Sequence, residues 1–159
     1  MIFVTVGSQK FPFDRLLKQV DQIVENRVIT EKVIVQTGHS RYAPRFCHCR
    51  AFYGREEFSD LLERCDVLIT HGGAGTMVEA AKRGKKTVAV PRLARYGEHV
   101  DDHQLELTRQ LHAMNLVYAC LEMERLAEAL RWVRNHRFNR FCSNTEAFSS
   151  ALNNFFRTL

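Results

Sequence analysis

Asp66-Val67-Leu68-Ile69-Thr70-His71-Gly72-Gly73-Ala74-Gly75-Thr76-Met77-Val78-Glu79 reads as a strand, a glycine loop and a helix in immediate succession. Residues 66–70 are short, apolar and β-branched, the pattern of a buried strand. Met77, Val78, Ala80 and Ala81 then fall at helical spacing, and Gly84 marks the stop. The glycines therefore lie where a strand ends and a helix begins, a place that collects free backbone N–H groups and the positive end of the helix dipole. Without Cβ atoms at Gly72, Gly73 and Gly75, a bulky anion can come close to the backbone. Glu79, about a turn further on, would repel a phosphate but can accept from two vicinal hydroxyls such as those of a ribose. Phosphate donors followed by a hydroxyl acceptor point to a nucleotide site. The alternative is a glycine turn that packs the helix tightly on the sheet.

The chain holds neither G-x-G-x-x-G nor G-x-x-x-x-G-K-[ST], so neither a dinucleotide fold nor a P-loop is supported. Working outward, strands and helices alternate along all 159 residues. Strands are expected over 2–6, 33–35, 50–53, 66–70, 87–90 and 116–119. Between them lie helical patterns: Phe13, Leu16, Leu17, Val20, Ile23 and Val24; Phe58, Leu61 and Leu62, with Glu56 and Glu57 in the first turn; Leu107, Leu111 and Met114; and Leu126, Ala127, Leu130 and Val133. A last helix is expected through Phe148, Ala151, Leu152, Phe155 and Phe156. Repeated β-α units imply a parallel sheet covered on both faces. The expected fold is an α/β, three-layer, Rossmann-like single domain, since this length cannot hold two full domains.

Ligands of such sheets bind at the carboxyl ends of the strands. Four loops at that edge carry polar groups: Gly7-Ser8-Gln9, Gln36-Thr37-Gly38-His39-Ser40, His71-Gly72-Gly73, and the run from Arg92 to Gln104. Ordinary turn chemistry explains any one of them. It explains their coincidence on one edge less readily.

Composition sets limits. A hydrophobic fraction of 45% with 26% charged residues is that of a globular domain. No apolar run approaches the ~20 residues of a membrane span, and Met1–Val6 is too short for a signal peptide, so a cytoplasmic location is expected. Five cysteines, an odd number, fit reduced thiols. Cys47-His48-Cys49 offers three metal-type ligands without a second pair at finger spacing, so a short strand or loop is expected there. The net charge of +5 is partly local, with Arg131, Arg134, Arg137, Arg140 and Arg157 against Glu146 near the C-terminus. A solvated helix face, an acidic membrane surface or an acidic partner would each account for it. Nucleic acid is disfavoured, because no binding module is visible.

His71 ahead of the glycine loop and Glu79 eight residues later resemble the nucleotide-sugar motif of GT-B glycosyltransferases. Asp101-Asp102-His103-Gln104-Leu105-Glu106-Leu107 is similar to their Asp-Asn-His-Gln-Leu-Glu-Leu stretch, with Asp for Asn at 102. Nearly the whole chain resembles the C-terminal, donor-binding half of that fold. The opening Ile2-Phe3-Val4-Thr5-Val6-Gly7-Ser8 resembles the single-domain catalytic subunit of the dolichol-linked UDP-N-acetylglucosaminyltransferase. It also resembles bacterial exopolysaccharide and capsule glycosyltransferase subunits of the same size. The resemblance implies transfer from a UDP-sugar with inversion, and assigns roles. Gly7 and Ser8 would face the diphosphate, and Gly38 and the backbone near Phe52 and Tyr53 the uracil. His71 with the backbone of Gly72, Gly73, Ala74, Gly75 and Thr76 would hold the phosphates. Glu79 would bind the ribose, and Gln104 with His103 the sugar, His71 and Gln104 being the catalytic candidates. There is no D-x-D motif, so no metal or other cofactor is expected.

A complete enzyme of this kind needs a second domain for the acceptor. The expectation is therefore a split enzyme, with a membrane-anchored partner that binds a lipid-linked acceptor on the cytoplasmic face. Residues 137–159 form a candidate helical docking tail. Its phenylalanines (138, 141, 148, 155 and 156) could instead cover the chain's own sheet. A UDP-sugar-binding regulatory module and half of a sugar-nucleotide epimerase are the alternatives.

Overall fold

The computed structural model describes residues 1–142. Its strands are β1 (Ile2–Thr5), β2 (Val33–Gln36), β3 (His48–Arg50), β4 (Val67–His71), β5 (Lys86–Val90) and β6 (Tyr118–Ala119). The helices are α1 (Asp14–Glu25), α2 (Arg55–Arg64), α3 (Ala74–Lys82), α4 (His103–Ala113) and α5 (Leu126–Asn135). All six strands are parallel, in the order β3-β2-β1-β4-β5-β6. The expected three-layer α/β sheet is therefore present.

Strand alternation decides which helix lies on which face. Ile2 and Val4 of β1 and Val67 and Ile69 of β4 point to one side. There they pack with Leu16, Leu17, Val20 and Ile23 of α1 and with Leu126, Ala129, Leu130 and Val133 of α5. Phe3 and Leu68 point to the other side, against Leu62 of α2 and Ala80 of α3. Beside them Met77 and Ala81 of α3 meet Ala89 of β5 and Leu111 of α4. Each large side chain fully buried in this way contributes roughly 1.5–3 kcal/mol from removal of its apolar surface from water. Because β1 and β4 are buried on both faces, they read as continuous apolar runs.

β1 and β4 are neighbours, with Thr5 opposite Thr70. The chain leaves β1 toward β2 and leaves β4 toward β5, so the strand order reverses between them. The loops after these strands diverge at that point and open a crevice at the sheet's carboxyl edge.

The structure differs from expectation at three elements. The third strand is His48–Arg50 rather than 50–53, and its residues are all exposed. It is an edge strand paired only to β2, so it carries polar side chains and no buried period. Cys47-His48-Cys49 is thus strand and strand approach, and burial pushes the Cys47 thiol up to about 12. The sixth strand is shortened to Tyr118–Ala119, because Leu116 and Val117 pack with α3 and α4 ahead of the ladder. The run 92–100 contains a 3-10 turn, Ala94–Tyr96. Of the C-terminal phenylalanines, Phe138 packs on the α1/α5 cluster and Phe141 on the α3/α4 cluster. Both cover their own domain. The helix expected through Phe148, Phe155 and Phe156, and most of the candidate tail 137–159, lie outside the described residues.

Candidate functional site

Gly73 is the N-cap of α3 and has no side chain to accept from the first turn. The N–H groups of Ala74, Gly75 and Thr76 therefore gain no side-chain cap. These three residues line a cleft of about 300 Å³ together with Gly7, Ser8, Gln9, His71, Gly73, His103 and Gln104. A second hollow of about 390 Å³ is built from Gln36, Phe52, Tyr53 and Phe58 and shares Gly7, Ser8 and Thr76 with the first. The cleft is a polar, N–H-rich space at a helix start, suited to an anion. The hollow is flanked by aromatic rings and suits a flat, part-apolar group.

His71 is fixed by its neighbours. A Cβ on Gly7 would lie 2.5 Å from its Cε1, and one on Gly73 would overlap its Nε2. Gly7 also has φ +78°, a conformation other residues enter only with strain. The two glycines therefore clasp the imidazole. Burial first, and then the positive charge of Arg92, push its pKa down to about 4. At neutral pH His71 is an uncharged donor and acceptor rather than a cation. Gly72 plays a packing part: a Cβ there would meet Thr108 Oγ1 at 2.7 Å and Gln104 Cβ at 2.9 Å on α4. Gly75 has nothing within 4 Å of where its Cβ would be. In a helix that absence costs about 0.5–1 kcal/mol relative to Ala, and no contact in the fold accounts for it. The open space beside it leaves room for a ligand to come close to the backbone.

Gln104 is 1% exposed, and its Oε1 accepts from Arg92 N at 3.2 Å, so it faces the cleft from a fixed position. His103 stands at the rim, its Nδ1 bonded to Asp101 Oδ1. Gly38 supports the site from below: a Cβ there would meet Gly7 O at 2.8 Å. Tyr53 lies in the aromatic hollow, its N–H donating to Gln36 Oε1 at 3.2 Å. The structure thus brings together Gly7, Ser8, His71, Gly73, Ala74, Gly75, Thr76, His103 and Gln104, with Tyr53 adjoining. It does not place Glu79 on either cavity. That carboxylate is half-exposed along α3 and paired with Arg83 at 2.8 Å.

Sequence reasoning treated Arg92–Gln104 as one polar loop and missed what it builds. Arg92 is wholly buried. Its guanidinium donates to Val6 O and, at 3.4 Å, to Glu98 O, and it lies 5.5 Å from the Phe13 ring. Glu98 accepts two bonds of 2.8 Å from Arg15 on α1 and one of 3.0 Å from Leu93 N. His99 and Asp101 sit beside His103, and the alternation His99-x-Asp101-x-His103 was the available signal.

Comparison with known proteins agrees with this architecture. Residues 1–157 match the model of the glycosyltransferase family 28 C-terminal domain. The UDP-N-acetylglucosamine transferase subunit ALG13 of Mus musculus is 28% identical over 128 residues, 74% of this chain and 10% of that protein. The Homo sapiens protein is 27% identical over 133 residues, 75% of this chain and 11% of its own length. The chain thus spans about a tenth of the curated relatives it matches. The solution structure of ALG13 superposes with a TM-score of 0.58 at 15% identity, covering 89% of each chain. The glycotransferase of kitacinnamycin gives 0.63 at 16%, over 85% of this chain and 35% of that one. These structural likenesses concern the fold, while the family match runs from strand β1 past helix α5 and through the glycine loop. The expected kinship with the C-terminal half of GT-B glycosyltransferases is borne out: the chain belongs to the glycosyltransferase family 28 C-terminal domain family.

Proposed function

We propose that this chain is the donor-binding subunit of a two-component inverting glycosyltransferase that uses a UDP-sugar. The observation that carries the reading is the uncapped start of α3 opening into a cleft continuous with an aromatic hollow. A diphosphate fits the first space and a pyrimidine the second. Family membership supports the reaction class. The name of the ALG13 relatives, a UDP-N-acetylglucosamine transferase subunit, supports the donor and the need for a second subunit.

As the bond from the anomeric carbon to UDP breaks, negative charge grows on the diphosphate. The N–H groups of residues 74–76 and the α3 dipole lie ready to receive it without rearranging. Neutral His71, held by Gly7 and Gly73, can donate one hydrogen bond to a phosphate oxygen. Gln104, anchored through Arg92 N, would orient the sugar. No Asp or Glu lines the cleft among the described residues, so the group that deprotonates the acceptor hydroxyl comes from the partner in this reading. That partner would be membrane-anchored and hold a lipid-linked acceptor at the cytoplasmic face. Among the described residues no helix is long and apolar enough to cross a membrane.

The test is reconstitution. The chain alone should bind UDP-sugar without turnover, and co-expression with acceptor-binding candidates should yield transfer that is weakened in Gly75→Ala, where an added Cβ meets no atom of the fold. Product formation without any acceptor would replace this reading with the epimerase one.

A further inference from the structure

We propose that His99, Asp101 and His103 form a binding site for one divalent transition-metal ion, zinc being the best match, at the mouth of the cleft. The ligand atoms of these three residues lie within 4.8 Å of one another. His99 Nδ1 is 3.3 Å from Asp101 Oδ1, and His103 Nδ1 is bonded to the same oxygen. Tetrahedral zinc with bonds near 2.1 Å separates its ligands by about 3.4 Å, which matches the His99 Nδ1–Asp101 Oδ1 spacing and requires the His103–Asp101 contact to open.

The tautomers favour an ion. His99 Nε2 faces Gln9 Oε1 at 3.0 Å, an acceptor, so that nitrogen carries the proton. Its Nδ1 is then a lone pair, and it accepts from Asp101 N at 3.4 Å. A lone pair therefore faces a carboxylate oxygen, an arrangement that a cation between them relieves. A carbonyl-type partner on the far ring nitrogen is also what orients metal-bound histidines. The His99 ring is 8% exposed and rests on Phe11 at 5.3 Å, so it is held in place before any ion arrives.

Two imidazoles and one carboxylate suit zinc or its neighbours rather than magnesium, which prefers oxygen. Three protein ligands leave a coordination position open. The absence of a D-x-D motif does not bear on such a site, since that motif supplies oxygen ligands alone. His103 also lines the cleft, so the open position lies beside the space described above.

Cobalt(II) is the probe, added to the purified full chain. The expected result is one equivalent bound, with visible d–d bands, no thiolate charge-transfer band, and displacement by Zn²⁺. His99→Gln and Asp101→Asn should each weaken binding by on the order of 100-fold, and Gln9→Leu by roughly 10-fold, as loss of an outer hydrogen bond does. Cys47→Ser/Cys49→Ser should bind as wild type does. Far-UV circular dichroism establishes that each variant is folded. Absence of stoichiometric cobalt on the folded wild type would overturn the proposal. Binding that disappears with the cysteines and survives His99→Gln would do the same.

Discussion

His71 and the glycines around it show why a motif residue must be judged singly. Gly7 and Gly73 are required by the imidazole they enclose, Gly72 by α4, and only Gly75 lacks a structural reason. Gly73→Ala should therefore destabilise the fold. Gly75→Ala should stabilise it by about 0.5–1 kcal/mol while weakening UDP-sugar binding. Thermal melts and calorimetry on the two variants read both quantities, and a Gly75→Ala protein of unchanged affinity would remove the case for close approach. His71 carries a pH dependence. Its folded pKa of about 4 lies below its ordinary value of 6.5, so its contribution is complete above pH 6.5 and is lost as pH falls toward 4. The full loss is on the order of 3 kcal/mol. Urea unfolding across that window should show a slope that His71→Gln lacks, and equal slopes in both proteins would contradict the burial argument. The motif itself was legible from strand and helix patterns. The division of labour among its glycines was not, because it depends on which side chains the fold brings against each Cα.

At the level of elements, the helices and the buried strands could be read because each buries a face with a regular period. β3 could not, since an exposed edge strand of His48, Cys49 and Arg50 has no such period. The Arg15–Glu98 pair was hidden for a different reason. It joins α1 to the loop after β5 across 83 residues of sequence, and no local pattern records it. Glu98 is nearly buried and accepts from Arg15 and Leu93, so removing the arginine strands a carboxylate. Arg15→Met should cost on the order of 3 kcal/mol and loosen residues 92–104, including Gln104. Hydrogen exchange of that segment is the measurement, and unchanged protection would show that the pair does not hold the loop. A change in the sheet centre acts differently: Ile69→Ala, in β4, should cost about 2–5 kcal/mol by leaving a cavity, without a local change at the loop.

For the molecule as a whole, the order β3-β2-β1-β4-β5-β6 fixes where chemistry can occur. The reversal between β1 and β4 sets Gly7 and Ser8 opposite the start of α3, and places the 92–104 loop on their flank. Part of the basic C-terminal region is used within the domain: Arg134 pairs with Glu31 at 2.6 Å, and Arg140 lies against Gly84. The charge of +5 therefore needs no membrane to explain all of it. The proposed function stands on the crevice binding the nucleotide of a sugar donor. Titrating UDP into isotopically labelled protein and following backbone amide signals tests it most directly. Saturable shifts concentrated at Ser8, Tyr53 and residues 72–76 are expected. Shifts confined elsewhere, such as the surface around Tyr118–Arg125, or none at ligand excess, would contradict it.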